Sequence, residues 1–152
     1  PNRRYMEMLL ATRFEEYKRV GSLFGILYMD VDLFKNINDD FGHEVGDKVL
    51  HMIGQAIKLH SRPYDIVGRW GGDEFLGIIV NVDFSILEKI SERYRVLIKE
   101  TCRETGIGPL EVSISIGSTL VKKNEPVETL LKRADRLLYA SKENGRDRVT
   151  CS

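Results

Sequence analysis

The 152-residue chain is 42% hydrophobic and 30% charged, the make-up of a soluble globular domain of ordinary size and not of a disordered segment. Lys plus Arg equals Asp plus Glu at 23 each, so no net field draws in nucleic acid or an anionic membrane, and any anionic ligand must be held by local groups. No apolar run approaches the roughly 20 residues that span a bilayer, no signal peptide is visible, and Cys102 and Cys151 form neither a metal-type spacing nor a disulfide framework, so a reducing, cytoplasmic setting is expected.

Apolar spacing at Met6, Leu9, Leu10, Phe14 and Tyr17 predicts an amphipathic first helix, with Pro1 suited to its start. Leu23 to Met29 is almost continuously apolar, which predicts a central strand covered on both faces and ending at Asp30. Residues 33 to 46 are mixed, punctuated by Gly42 and Gly46. Val49, Ile53, Ala56 and Ile57 predict a second helix that stops near Pro63. Ile66 to Trp70 and Glu74 to Val80 predict a hairpin around Gly71-Gly72, because glycine tolerates the positive φ of tight turns. Leu87, Ile90, Tyr94, Leu97 and Ile98 mark a third helix, and "LEVSISIGSTL" (residues 110–120) alternates like a half-buried strand. Leu130, Leu131, Ala134, Leu137 and Leu138 mark a final helix before a polar, glycine-containing tail. The succession predicts an α/β sandwich with a mostly antiparallel sheet, since the hairpin sets two neighbours in opposite directions. It is not a doubly wound dinucleotide fold, because no G-x-G-x-x-G follows the first strand.

Asp30 closes a nearly apolar run, and Asp73 and Glu74 stand side by side at the hairpin tip. If the hairpin lies beside the first strand, all three carboxylates reach one edge of the sheet. Acids beside glycines ordinarily solvate a turn, but that does not explain Asp30. Converging carboxylates become favourable when a hard cation neutralises them, and Mg²⁺ suits one or two carboxylates plus substrate phosphates. "DVDLFKNINDDF" is not a calcium loop: counted from Asp30, positions 5, 6 and 12 are Phe34, Lys35 and Phe41, where an oxygen ligand, Gly and Glu are required.

"YMDVDLFKNINDDFGHEVGD", "RWGGDEF" and "ADRLLYASKENGRDRV" together resemble the GGDEF family of diguanylate cyclases, essentially end to end and in the family's order. The resemblance implies a palm-like α/β fold similar to adenylyl cyclase catalytic domains and some polymerases. It implies condensation of two GTP into cyclic di-GMP with release of two pyrophosphates, with Mg²⁺ (or Mn²⁺) held by Asp30, the carbonyl of Val31, Asp73 and Glu74. Gly71 and Gly72 would let backbone approach the nucleotide. By the same resemblance Asn38 and Asp47 read guanine, whose N1–H and 2-amino group both donate to a carboxylate, and Lys35, Lys142 and Arg146 contact phosphates. Taken singly, Asn38 also reads as a turn residue, Asp47 as a helix N-cap and the cations as solvated surface charges. His43 reads as a packing or loop-fixing residue, His51 and His60 as ordinary helix-face residues, and Trp70 as strand core.

Arg62 and Asp65 form an R-x-x-D that matches the family's product-inhibition site, with Arg93 as a second contact; the other reading is a surface ion pair. Pro63 places the pair on a bent connection, with both side chains expected to point outward. One domain binds one GTP, so the implied active species is a homodimer. "PNRRY" resembles the second half of the family's lead-in, so residues 1–152 read as one catalytic domain of a longer protein with an N-terminal sensory region. That parent could be membrane-anchored, but the domain itself is expected to touch neither membrane nor nucleic acid. Rival readings are a module that binds GTP or cyclic di-GMP without turnover, a cyclase making cyclic GMP-AMP, and a nucleic-acid polymerase. The intact acids and guanine pair argue against the first, Asp47 against the second, and zero net charge without a basic stripe against the third.

Overall fold

The computed structural model describes residues 1–104 and 111–152. Along the chain run α1 (Arg3–Val20), β1 (Phe24–Val31), α2 (Phe34–Phe41), α3 (His43–His60), β2 (Ile66–Arg69), β3 (Glu74–Val80), α4 (Phe84–Glu104), β4 (Ile114–Leu120), α5 (Val127–Glu143) and β5 (Val149–Cys151). The sheet order is β2-β3-β1-β4-β5, antiparallel at every junction except the parallel β4–β5 pair. The predicted α/β sandwich with a mostly antiparallel sheet is what forms.

β1 is central because its side chains are apolar on both faces. Phe24 and Ile26 join Leu76, Ile78 and residues of α1 and α5 in one core, while Leu27, Met29 and Val31 join α3, α4 and Phe75 in the other. Asn2, not Pro1, starts α1: its side chain accepts from the Tyr5 amide at 3.0 Å, and Gly21 ends the helix at φ 73. Pro1 instead accepts a hydrogen bond from the Arg69 amide on the outer edge of β2.

Four expectations change. The mixed stretch at 33–46 contains α2, and Gly46 is not punctuation but lies inside α3. β4 is buried on both faces rather than half-exposed, because its polar residues find internal partners: Ser118 accepts from Ser91, and Ser115 donates to Asp32. (Leu110, first residue of the predicted segment, lies outside the described residues.) The tail supplies the short edge strand β5. Gly71 and Gly72 are not among the positive-φ residues, so the hairpin turn does not use their left-handed freedom.

One glycine does set the architecture. A Cβ built on Gly117 of β4 would lie 2.2 Å from the Leu138 amide nitrogen and 2.4 Å from the Ala134 carbonyl oxygen. The α5 backbone therefore rests directly on the sheet, which brings the end of α5 over the end of β1.

Candidate active site

Register places the acids. Asp30, next to last in β1, pairs directly with Glu74, first in β3, so their side chains share one face. The Val31 amide donates to the Asp73 carbonyl at 3.2 Å, and the Trp70 amide to the Glu74 carbonyl at 2.8 Å, which ties the turn to β1 and closes it. Arg69 grips the turn from below, donating from Nε and Nη2 to the Gly72 carbonyl at 3.0 and 2.6 Å. Trp70, predicted as core, is buried just past β2, with the Arg3 guanidinium stacked 4.4 Å from its ring centroid.

The three carboxylates do reach one sheet edge, but they do not close into a cage. Among the described residues no three His, Cys, Asp or Glu side chains gather tightly enough to hold a metal. Like charges opposite each other repel, and each acid takes a neighbour that relieves it. Lys142, on the last turn of α5, is hydrogen-bonded to Asp30 Oδ2, and the Tyr28 hydroxyl donates to Glu74 Oε2 at 2.6 Å. Asp30 Oδ1 is buried with no hydrogen-bond partner. Burial pushes the Asp30 carboxyl well above the ordinary carboxylate range; Lys142 opposes that shift and the facing Asp73 adds to it. The buried, unpartnered Asp30 oxygen is a hard donor of the kind Mg²⁺ takes from one or two carboxylates, the rest of its shell coming from substrate phosphates and water and not from a protein cage.

Asn38 lies on the last turn of α2, and Asp47 on α3, four residues past its first. A Cβ at Gly46 would lie 1.9 Å from Asn38 Oδ1, so Gly46 is what lets the Asn38 side chain lie against the first turns of α3, its Oδ1 buried and without a hydrogen-bond partner. The N-cap position of α3 belongs to Gly42, which removes the capping explanation for Asp47. Asp47 is exposed at one end of a groove of about 850 Å³ that runs between α3 and β2 past His51, Gly54 and Phe75. Lys35 is exposed on the first turn of α2; His43 is exposed at the start of α3; His60 bonds the Ala56 carbonyl within its own helix.

Arg146 is exposed on a left-handed run in which Gly145, Arg146 and Asp147 have φ 116, 62 and 48. That strained run is held by residues the sequence reading gave no role. Asp32, 7% exposed, accepts from the Asp147 amide and from the Ser113 and Ser115 hydroxyls. Arg95 and Lys99 on α4 grasp the Asp147 side chain. Burial pushes the Asp147 carboxyl up, but Lys99 and Arg95 outweigh it and hold it below its ordinary value. The alternation of Asp30 and Asp32 with Ser113 and Ser115 carried this signal, but only with the β1–β4 register does it become readable.

The description "Diguanylate cyclase, GGDEF domain" is that of the family model matching residues 1–148. The chain belongs to the GGDEF domain family. It is 34% identical over 149 residues to diguanylate cyclase DosC of Escherichia coli K12, covering 97% of this chain and 32% of that protein. It is 40% identical over 128 residues to diguanylate cyclase A of Treponema denticola, covering 84% and 34%. This chain therefore spans about a third of the length of these curated relatives. Among solved structures, the GGDEF domain of DgcB from Caulobacter crescentus in complex with c-di-GMP superposes with a TM-score of 0.91 at 31% identity, covering 99% of this chain and 90% of that one.

At the far end of the groove the GGDEF domain presents the R-x-x-D pair, and here the expectation of two outward side chains fails. The Asp65 side chain is fully buried and accepts from the Val80 amide at 3.1 Å, while Arg62, its side chain 35% exposed, donates to Asp65 Oδ1 and to the Val80 carbonyl at 3.0 and 2.7 Å. Val80 ends β3 with an amide and a carbonyl facing this turn, and the inward Asp65 accepts from the first while Arg62 donates to the second. Arg93 of α4 does come to the same place, exposed and within 3.4 Å of the His60 carbonyl.

Proposed function

We propose that this GGDEF domain is the catalytic domain of a diguanylate cyclase, joining two GTP molecules into cyclic di-GMP as two domains meet face to face. The observation that carries this is the cross-strand Asp30–Glu74 pair, with Asp73 tied to Val31 and Lys142 poised on Asp30. Asp30, the Val31 carbonyl, Asp73 and Glu74 would hold Mg²⁺ or Mn²⁺ together with the substrate phosphates. Such a cation would neutralise the triphosphate and polarise the α-phosphate. Lys35, Lys142 and Arg146 take the phosphate oxygens, and Lys142 exchanges its Asp30 contact for one with the nucleotide. Asn38 and Asp47 fix the base, Asp47 from the mouth of the groove. The 3′-hydroxyl of each GTP attacks the partner's α-phosphorus as the bond to pyrophosphate breaks, twice per turn of the cycle, and positioning supplies much of the rate. Because each domain brings one nucleotide, the working species is a homodimer.

Asp47→Ser tests the base assignment. A site built to accept from N1–H and the 2-amino group rejects a base lacking those donors, so the variant should lose GTP-over-ATP preference by at least about tenfold in kcat/KM. Unchanged selectivity in competition assays removes Asp47 from the base site.

Arg62, with Arg93 beside it, is proposed as the group that meets the product's guanine, offering two donors to O6 and N7; Asp65 acts from behind by orienting the guanidinium. Calorimetry with Arg62→Ala should show cyclic di-GMP binding weakened at least about tenfold, the loss expected for a bidentate base contact. Undiminished binding moves the product site elsewhere.

A further inference from the structure

The boundary between apolar and acidic residues on β1 falls at Tyr28, to which nothing above gives a task in the reaction. On the face covered by α1 and α5, β1 presents Phe24, Ile26, Tyr28 and Asp30 opposite Val80, Ile78, Leu76 and Glu74 of β3. The Tyr28 ring packs into that apolar cluster, so its hydroxyl is delivered from a fixed base. Tyr28 is the diagonal neighbour of Glu74, a separation that an aromatic side chain spans, and its Oη lies 2.6 Å from Glu74 Oε2. On the other side of the same oxygen stands Gly71, where an added Cβ would lie 3.4 Å away. Glu74 Oε2 thus sits in a slot between a hydroxyl donor and a bare Cα. Among the described residues no second donor reaches the Glu74 carboxylate.

We propose that Tyr28 is a positioning residue for the cyclase reaction: its hydroxyl fixes the Glu74 carboxylate through Oε2 and leaves Oε1 as the oxygen available to a cation. The inference rests on the reading of Glu74 as a cation ligand. A neutral donor suits this position. A Lys or Arg in its place would compete with the cation for Glu74, whereas a phenol orients the carboxylate and leaves its charge intact. Without the hydroxyl, Glu74 faces Asp30 directly across the strands and is free to turn away from it. Partners that orient a metal's ligands typically matter at the level of ten- to hundredfold in affinity or activity.

Tyr28→Phe keeps the ring and removes only the hydroxyl. Mn²⁺ binding by the protein with a non-hydrolysable GTP analogue, read from the free-ion electron paramagnetic resonance signal, should weaken roughly ten- to hundredfold. The kcat for cyclic di-GMP synthesis should fall over the same range, with KM for GTP changed less than about twofold, the split expected of a group that orients chemistry. Tyr28→Phe in a Glu74→Gln background should weaken Mn²⁺ binding no further. A lowered melting temperature with an unchanged Mn²⁺ titration overturns the proposal, as does an equal loss in the Glu74→Gln background. If Glu74→Gln itself synthesises cyclic di-GMP normally, the parent reading of Glu74 fails; if Glu74→Gln is inactive and Tyr28→Phe is like wild type, this inference alone fails.

Discussion

Asp30→Asn, Asp73→Asn and Glu74→Gln should each lower cyclic di-GMP synthesis by about a hundred- to a thousandfold, the scale on which removal of an electrostatic group at a reacting centre is felt, while the fold survives. The second half of that expectation follows from Asp30's surroundings. Its carboxyl is raised by burial, against the pull of Lys142. A carboxyl whose value in the fold lies above that in the unfolded chain binds its proton more tightly when folded. Its ionised form is therefore a liability that grows as pH rises from the unfolded value to the folded one, and is fully present above it. Asparagine has nearly the same shape and no charge to desolvate, so Asp30→Asn should melt at or above the wild-type temperature at neutral pH. Activity and melting curves on the same preparations check both halves. Near-normal synthesis, or loss of activity through unfolding, contradicts the assignment of these acids to chemistry.

Gly117→Val should be the most damaging single change to the scaffold. The atoms that a Cβ would strike at 2.2, 2.4 and 2.8 Å are the Leu138 nitrogen, the Ala134 oxygen and the Leu137 carbonyl carbon, all main chain of α5. No rotamer change clears them, so the helix must lift, and with it Leu130 and Ala134 leave the core they share with Met6 and Trp70. Overpacking against backbone of this kind costs about 3 kcal/mol or more, which in a domain of this size lowers Tm by about 10 °C. Lifted, α5 also withdraws Lys142 from Asp30, so activity falls further than stability. Gly54→Ala is the matched control: within α3, with nothing within 4 Å of the added Cβ, it should be stabilising by roughly 0.5–1 kcal/mol. Thermal melts of the two variants check the pair, and a Gly117→Val protein that melts like wild type contradicts a direct backbone contact between α5 and β4.

Residues whose periodicity is strong declared their elements: the apolar run of β1, the two halves of the hairpin and the helices carrying Ile53, Tyr94 and Leu138. α2 escaped because eight mixed residues make little over two turns, too few for a period to show against Asn36, Asn38, Asp39 and Asp40. β5 escaped because a three-residue edge strand is defined by its partner β4 and not by its own composition. Ser115 looked solvent-facing because alternation reports polarity, whereas burial is decided by whether a hydroxyl finds a partner. At the site, the motif acids were legible as a group, and the β1–β3 register places Asp30 opposite Glu74. Their internal partners were not legible. Tyr28 reaches Glu74 across 46 positions of sequence and Lys142 reaches Asp30 across 112, distances over which no local pattern carries information. The inward turn of Asp65 was hidden for a related reason, since its partner is main chain of Val80, which any residue would supply.

Incubating the protein at high concentration with GTP and Mg²⁺ and identifying what forms tests the cyclase assignment. Cyclic di-GMP should form with two pyrophosphates released for each molecule made, at a rate that rises more steeply than linearly with protein concentration because two domains must meet. GTP bound but left intact under those conditions, or a product other than cyclic di-GMP, would contradict that assignment.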